Sequence, residues 1–136
     1  MALTIGTATA RPGEIVYGEL PVLDLPTGGR ECLPVIIAQG RDAAGPVLWL
    51  TANIHGAELT GLAVIHRVIT AELAAQLRGT IVAVPSLNPA GLRTMERVPY
   101  YSHTDPNRLW PTRRPQREPG DAPPSPYEQI IERVFG

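Results

Sequence analysis

His55-Gly56-Ala57-Glu58 places an imidazole and a carboxylate three residues apart, just beyond the apolar run Val47-Leu48-Trp49-Leu50. Neutral imidazole nitrogen and carboxylate oxygen are both ligands that Zn²⁺ accepts, and two ligands from one turn lose little entropy on binding. The spacing alone equally fits a polar loop in which Glu58 favours the positive end of a following helix. It therefore supplies half of a plausible metal site.

Further along, Asn88, Arg97, Asp105, Asn107 and Arg108 fall in a stretch with no clear helical or strand period. Such a polar loop above a sheet edge can collect site residues. The other candidates read more plainly. His66 lies in the middle of an expected helix and reads as a surface imidazole, and His103 reads as a solvated loop residue. Arg93 reads as a solvating charge. Cys32 is the only cysteine; no intrachain disulfide can form, and no histidine stands near it in sequence to activate it.

The elements that must position these groups can be read from the apolar pattern. Strand-like runs at 14–23 and 33–38, split by Pro26-Thr27-Gly28-Gly29, predict a hairpin or meander. Val47 to Ala52 is almost wholly apolar, the profile of a strand covered on both faces. Residues 57–78 carry Leu59, Leu62, Ile65, Ile69, Leu73 and Leu77 at helical spacing, with Gly79 where a C-terminal capping glycine belongs. Thr80 to Val84 predicts a second buried strand. The expectation is an α/β fold: a mixed sheet with a parallel βαβ core flanked by helices. Loops at the carboxyl ends of its parallel strands would carry His55, Glu58 and Asn88 to one sheet edge.

The chain of 136 residues is long enough for one domain with its own core, and 43% hydrophobic with 18% charged residues is a globular composition. A net charge of -1 gives no electrostatic reason to expect nucleic acid or an anionic membrane as partner. No signal-peptide pattern or membrane-spanning run stands out, so a cytoplasmic location is the expectation. Six of the 15 prolines lie between Pro111 and Pro126, which predicts an irregular loop. Ser125 and Pro126 then suit the start of a helix carrying Tyr127, Ile130, Ile131 and Val134. The expected organisation is N-terminal strands over 1–45, the βαβ unit with its loops over 46–111, a proline-rich loop over 112–125, and the start of a helix over 126–136.

Four motifs in order resemble the succinylglutamate desuccinylase and aspartoacylase family of the zinc carboxypeptidase-like superfamily. They are His55-Gly56-Ala57-Glu58, Pro85-Ser86-Leu87-Asn88-Pro89, Arg97, and Asp105-Pro106-Asn107-Arg108-Leu109-Trp110-Pro111. The likeness runs from about Ala10 to Pro111. It implies a zinc carboxypeptidase-like (phosphorylase/hydrolase-like) fold, with His55 and Glu58 as the first two zinc ligands. Arg97 would polarise the scissile carbonyl, Asn107 and Arg108 would hold substrate, and Asp105 and Asn88 would support them. Pro106 and Trp110 stand where members usually carry Leu and Phe.

The family's third zinc ligand, a later histidine, and its general base, a later glutamate, have no matching segment before Gly136. The resemblance thus implies the N-terminal part of a zinc-dependent hydrolase of the C–N amide bond in an N-acyl amino acid or similar carboxylated amide. By this reading the chain is truncated and inactive by itself, with an exposed sheet edge that favours association or a homo-oligomer. Two alternatives stay open: a metallocarboxypeptidase-like peptidase of the same superfamily, and a non-catalytic relative that binds a ligand or protein.

Overall fold

The computed structural model describes residues 1–110 and 118–135. Part of the expected proline-rich loop (111–117) and the terminal Gly136 lie outside the described residues.

The chain opens with two short antiparallel strands, β1 (Leu3–Ile5) and β2 (Ala8–Ala10). The hairpin predicted next is present as β3 (Ile15–Asp24) and β4 (Arg30–Gln39), antiparallel with a register shift between Pro21 and Leu23. Two further strands, β5 (Asp42–Thr51) and β6 (Arg78–Val84), complete a four-stranded sheet of order β3-β4-β6-β5. β4 and β6 are antiparallel, whereas β5 and β6 run parallel, so the sheet is mixed.

The pleat sorts the strand residues onto two faces. On one face Leu33, Val35, Ile37, Val82 and Val84 pack with Ala8, Ala10 and the helix α4 (Pro126–Phe135) through Tyr127, Ile130 and Ile131. On the other, Ile36, Ala38, Ile81 and Ala83 meet Ile65 and Ile69 from the connection between β5 and β6. Burial of each valine, leucine or isoleucine among them contributes about 1.5–3 kcal/mol.

That connection departs from the single helix expected over 57–78. It is two helices, α1 (Thr60–Val68) and α2 (Ala71–Gln76). Ile69 and Thr70 are extended, and the Thr70 side chain accepts a hydrogen bond from the Leu73 amide at 3.2 Å. Two adjacent β-branched residues weaken the helix, and Thr70 offers a new N-cap, so the chain restarts. Gly79 is likewise no capping glycine. It lies within β6 at φ 97°, where an added Cβ would strike the backbone of Gly45 and Pro46.

The apolar run in β5 is not covered on both faces. Val47, Leu48 and Trp49, which alternate between the two faces, are about half exposed, and β5 forms the sheet's outer edge with β6 as its only neighbour among the described strands.

The stretch read as aperiodic also holds regular structure. Helix α3 (Pro89–Thr94) begins on Asn88, whose Oδ1 accepts from the Gly91 amide at 2.8 Å, with proline at the first helical position. A 3-10 turn spans Pro106–Arg108, capped by Asp105. Pro106 occupies its first position, where no amide donor is needed, so the proline is compatible with the turn.

At the start of α4 the expected cap is in place. Ser125 Oγ accepts from the Glu128 amide at 3.3 Å, and Glu128 Oε2 accepts from the Ser125 amide at 2.6 Å. This is the reciprocal capping box.

Candidate metal and substrate site

Because β5 and β6 are parallel, the loops that leave their carboxyl ends emerge side by side. The Leu87 amide donates to the Ala52 carbonyl at 2.9 Å, which ties the two exits together. His55 stands on the first exit, 5% exposed, and both of its ring nitrogens are engaged. Nδ1 lies 2.8 Å from Glu58 Oε1, and Nε2 lies 2.9 Å from Asp105 Oδ1.

Asp105 reaches the site from the far end of the following segment. Its second oxygen accepts from Arg97 Nη2 at 2.9 Å, and Oδ1 also accepts from the Asn107 amide at 2.9 Å. Partial burial pushes the Asp105 carboxyl up, but the hydrogen bonds from His55, Arg97 and the Asn107 amide, with the charge of Arg97, outweigh it. They hold the group well below the usual carboxylate range. Asp105 is therefore a fixed anion bridging an imidazole and a guanidinium.

Asn88 does more than cap α3. Fully buried, it donates through Nδ2 to the carbonyls of Ile54 at 3.1 Å and Arg97 at 3.3 Å. One amide thus links the histidine-bearing loop to the backbone of the arginine. Gly56 is pressed against α3, and an added Cβ would land on the backbone of Gly91.

The remaining candidates are less engaged. Asn107 Oδ1 accepts from Trp110 Nε1 at 2.9 Å, and Trp110 packs on Phe135 with ring centroids 4.8 Å apart. Arg108 is exposed and donates to the Asn107 carbonyl at 3.3 Å. A cavity of about 290 Å³ runs past Asn53, Ile54, Glu58 and Leu87 to Trp110. His66 and His103 are both exposed.

Two further residues shape the site, Asn53 and the Ser86 of the Pro85–Pro89 motif, neither of which the sequence assigns a role. Asn53 and Ser86 are buried against this loop, with Ser86 Oγ donating to Asn53 Oδ1 at 2.6 Å. The signal available in sequence was an asparagine directly after a strand, a residue that tolerates left-handed backbone. Arg93, read as a solvating charge, has a partner: its Nη1 lies 3.6 Å from the buried Glu31 carboxylate.

The donor set can be tested for zinc. With Nε2 held by Asp105, Nδ1 is the ring nitrogen available to a metal, and it already faces the Glu58 carboxylate. The chemistry of that pair fits zinc, and a carboxylate behind the ligand histidine is the usual supporting arrangement. No group of three or more His, Cys, Asp or Glu side chains that could hold a metal assembles among the described residues.

A mixed α/β sheet with a polar cluster above the carboxyl ends of its parallel pair is the general class that this geometry defines. Residues 44–135 match the succinylglutamate desuccinylase/aspartoacylase catalytic domain, and the chain belongs to that family.

Solved structures agree in fold. An aspartoacylase family protein from Mesorhizobium loti aligns over 98% of this chain and 38% of its own, with 26% identity and a TM-score of 0.69. A succinylglutamate desuccinylase/aspartoacylase family protein from Shewanella amazonensis aligns over 69% and 27%, with 33% identity and a TM-score of 0.58. A succinylglutamate desuccinylase/aspartoacylase from Rhodobacter sphaeroides, at 21% identity, shares the fold over 88% of this chain and 34% of its own, with a TM-score of 0.61. The chain thus spans well under half the length of these relatives. No curated protein matches it. No helix among the described residues is long and apolar enough to cross a membrane.

Proposed function

We propose that these 136 residues form the N-terminal part of a zinc-dependent amidohydrolase that cleaves the C–N amide bond of an N-acyl amino acid or a similar carboxylated amide. The observation that carries this reading is the convergence of His55 Nδ1 and Glu58 Oε1 at 2.8 Å, with His55 Nε2 held by Asp105 at 2.9 Å. Family membership supports amide hydrolysis as the class of reaction.

His55 and Glu58 would hold the metal, with a third ligand and the general base supplied from sequence outside this chain. Bound there, zinc supplies Lewis acidity. Asp105 keeps a proton on His55 Nε2, which fixes the tautomer and leaves Nδ1 as the donor. Arg97, aimed by its bond to Asp105 Oδ2, stabilises negative charge developing on the amide oxygen. The exposed Arg108 guanidinium, with Asn107 beside it, suits a substrate carboxylate gripped through two bonds.

The decisive test uses the full-length protein that contains this chain, offered a panel of N-acyl amino acids alongside short peptides. Hydrolysis of the acyl amino acids, one zinc per chain and loss of both in His55→Ala are the expected results. Cleavage of the peptides alone would move the assignment to a peptidase. Absence of stoichiometric zinc, with no hydrolysis that depends on His55, would leave a non-catalytic binding protein. Reading the coding sequence past Gly136 for a strand ending in Asp-x-His is a cheaper check on the third ligand.

A further inference from the structure

The turn that presents His55 and Glu58 is held from the inside by one side chain. Asn53 is 5% exposed and adopts φ 53°, a left-handed conformation that asparagine tolerates better than most residues. Its Nδ2 lies 3.0 Å from the carbonyl oxygens of His55, Gly56 and Glu58 alike. Two N–H bonds serve three acceptors, so at least one is shared. Three carbonyl dipoles aimed at one buried point repel each other unless a donor sits among them.

The other end of the amide is also fixed. Ser86 Oγ donates to Asn53 Oδ1 at 2.6 Å, and Ser86 Oγ itself accepts from the Asn88 backbone N–H at 3.3 Å. Because Oδ1 takes the hydroxyl proton, Nδ2 must face the turn. Ser86 directly follows Pro85 at the exit of β6, so the contact sets the turn against the neighbouring strand as well as curving it.

We propose that Asn53 is a positioning residue for the metal ligands. Its amide, oriented by Ser86, shapes the 55–58 turn so that His55 Nδ1 and Glu58 Oε1 converge before any metal arrives. The inference rests on the zinc reading above and assigns part of that site's preorganisation to a side chain that touches neither metal nor substrate.

The experiment measures zinc affinity by chelator competition in the full-length protein and, separately, the thermal midpoint of the metal-free form. Asn53→Gly is the informative variant, because glycine adopts φ 53° without strain yet has no amide. It is expected to weaken zinc binding by roughly 10–100-fold, the usual effect of removing a group that orients a ligand. Asn53→Asp, which puts an acceptor among three carbonyls, should weaken it at least as much, and Ser86→Ala less.

Ile37→Val, a remote core change, provides the control: it should lower the midpoint and leave zinc affinity alone. Folded Asn53→Gly protein that binds zinc within about twofold of the parent would overturn the proposal. If neither Asn53 variant folds, Ser86→Ala decides, a loss supporting the proposal and unchanged affinity overturning it. His55→Ala separates the two levels. Zinc retained in that variant removes the metal reading itself, whereas zinc lost there but kept in Asn53→Gly removes only the role of Asn53.

Discussion

His55 Nε2 and Asp105 Oδ1 lie 2.9 Å apart although fifty residues separate them in the chain. The contact joins the β5 exit to the 3-10 turn, and through Asp105 Oδ2 it extends to Arg97. Asp105→Ala should release the imidazole and the guanidinium together. Zinc affinity of the full-length protein is expected to fall by roughly 10–100-fold. Hydrolysis should fall further, because Arg97 loses its aim; chelator competition and kcat/KM, measured side by side, check both.

Asn88→Ala removes the cap of α3 and leaves the Ile54 and Arg97 carbonyls without that donor. Loss of an N-cap costs about 0.5–2 kcal/mol, and the loss of the two part-buried bonds to the Ile54 and Arg97 carbonyls adds to it. Urea denaturation followed by circular dichroism should show a lower midpoint with the slope unchanged.

Tyr127 is fully buried, and its hydroxyl donates to the Leu87 carbonyl at 2.6 Å, which pins α4 beneath the site loop. Burial pushes this phenol up, so it stays protonated as a donor across the working pH range. Tyr127→Phe should destabilise the fold by about 1 kcal/mol, the net worth of such a bond, while the ring keeps its packing. The same denaturation experiment measures it.

Glu31 gives the fold a pH dependence. Burial raises its carboxyl above the ordinary 4.5, and the charge of Arg93 offsets this only in part. A raised acid binds its proton more tightly in the folded state. Its favourable contribution is therefore complete below pH 4.5 and is lost as pH rises through the folded value. Glu31→Gln should leave the thermal midpoint nearly unchanged in acid and raise it relative to the parent at alkaline pH. A variant no more stable than the parent at alkaline pH would contradict this sign.

Some of this architecture was open to reading before any coordinates. The β3–β4 hairpin and α4 announce themselves because local signals agree with tertiary need: a Gly-Gly turn between β-rich runs in one case, Ser125-Pro126 ahead of an amphipathic stripe in the other. The division of residues 60–76 into α1 and α2 was hidden because the apolar stripe continues across Ile69 and Thr70, and only the backbone shows the restart. Helix α3 should have been found, since Asn88-Pro89 is an N-cap followed by proline at the first position. β5 misled for a different reason. Its composition is that of a strand covered on both faces, yet Val47, Leu48 and Trp49 stay about half exposed.

At the site, residue type and spacing drew attention to His55 and Glu58, and the family resemblance joined Arg97 to them. The parts that shape them were harder to see. Asn53 and Ser86 are common polar residues, and their roles depend on a left-handed φ and on a contact between two loops that no spacing rule describes. The resemblance gives Asp105 only a supporting place; both His55 and Arg97 bond to its carboxylate.

The distances along the chain between partners also order events in time. The β3–β4 hairpin needs only neighbouring residues, whereas Asn53 must wait for Ser86, 33 residues later, and His55 for Asp105, 50 residues later. Closing longer loops costs more entropy and slows folding. On a ribosome, His55 emerges long before the carboxylate that will fix its ring. The His55–Asp105 contact thus closes over a β3–β4 hairpin whose strands emerged earlier, and α4, which follows Asp105 in the chain and packs against β3, is placed later still.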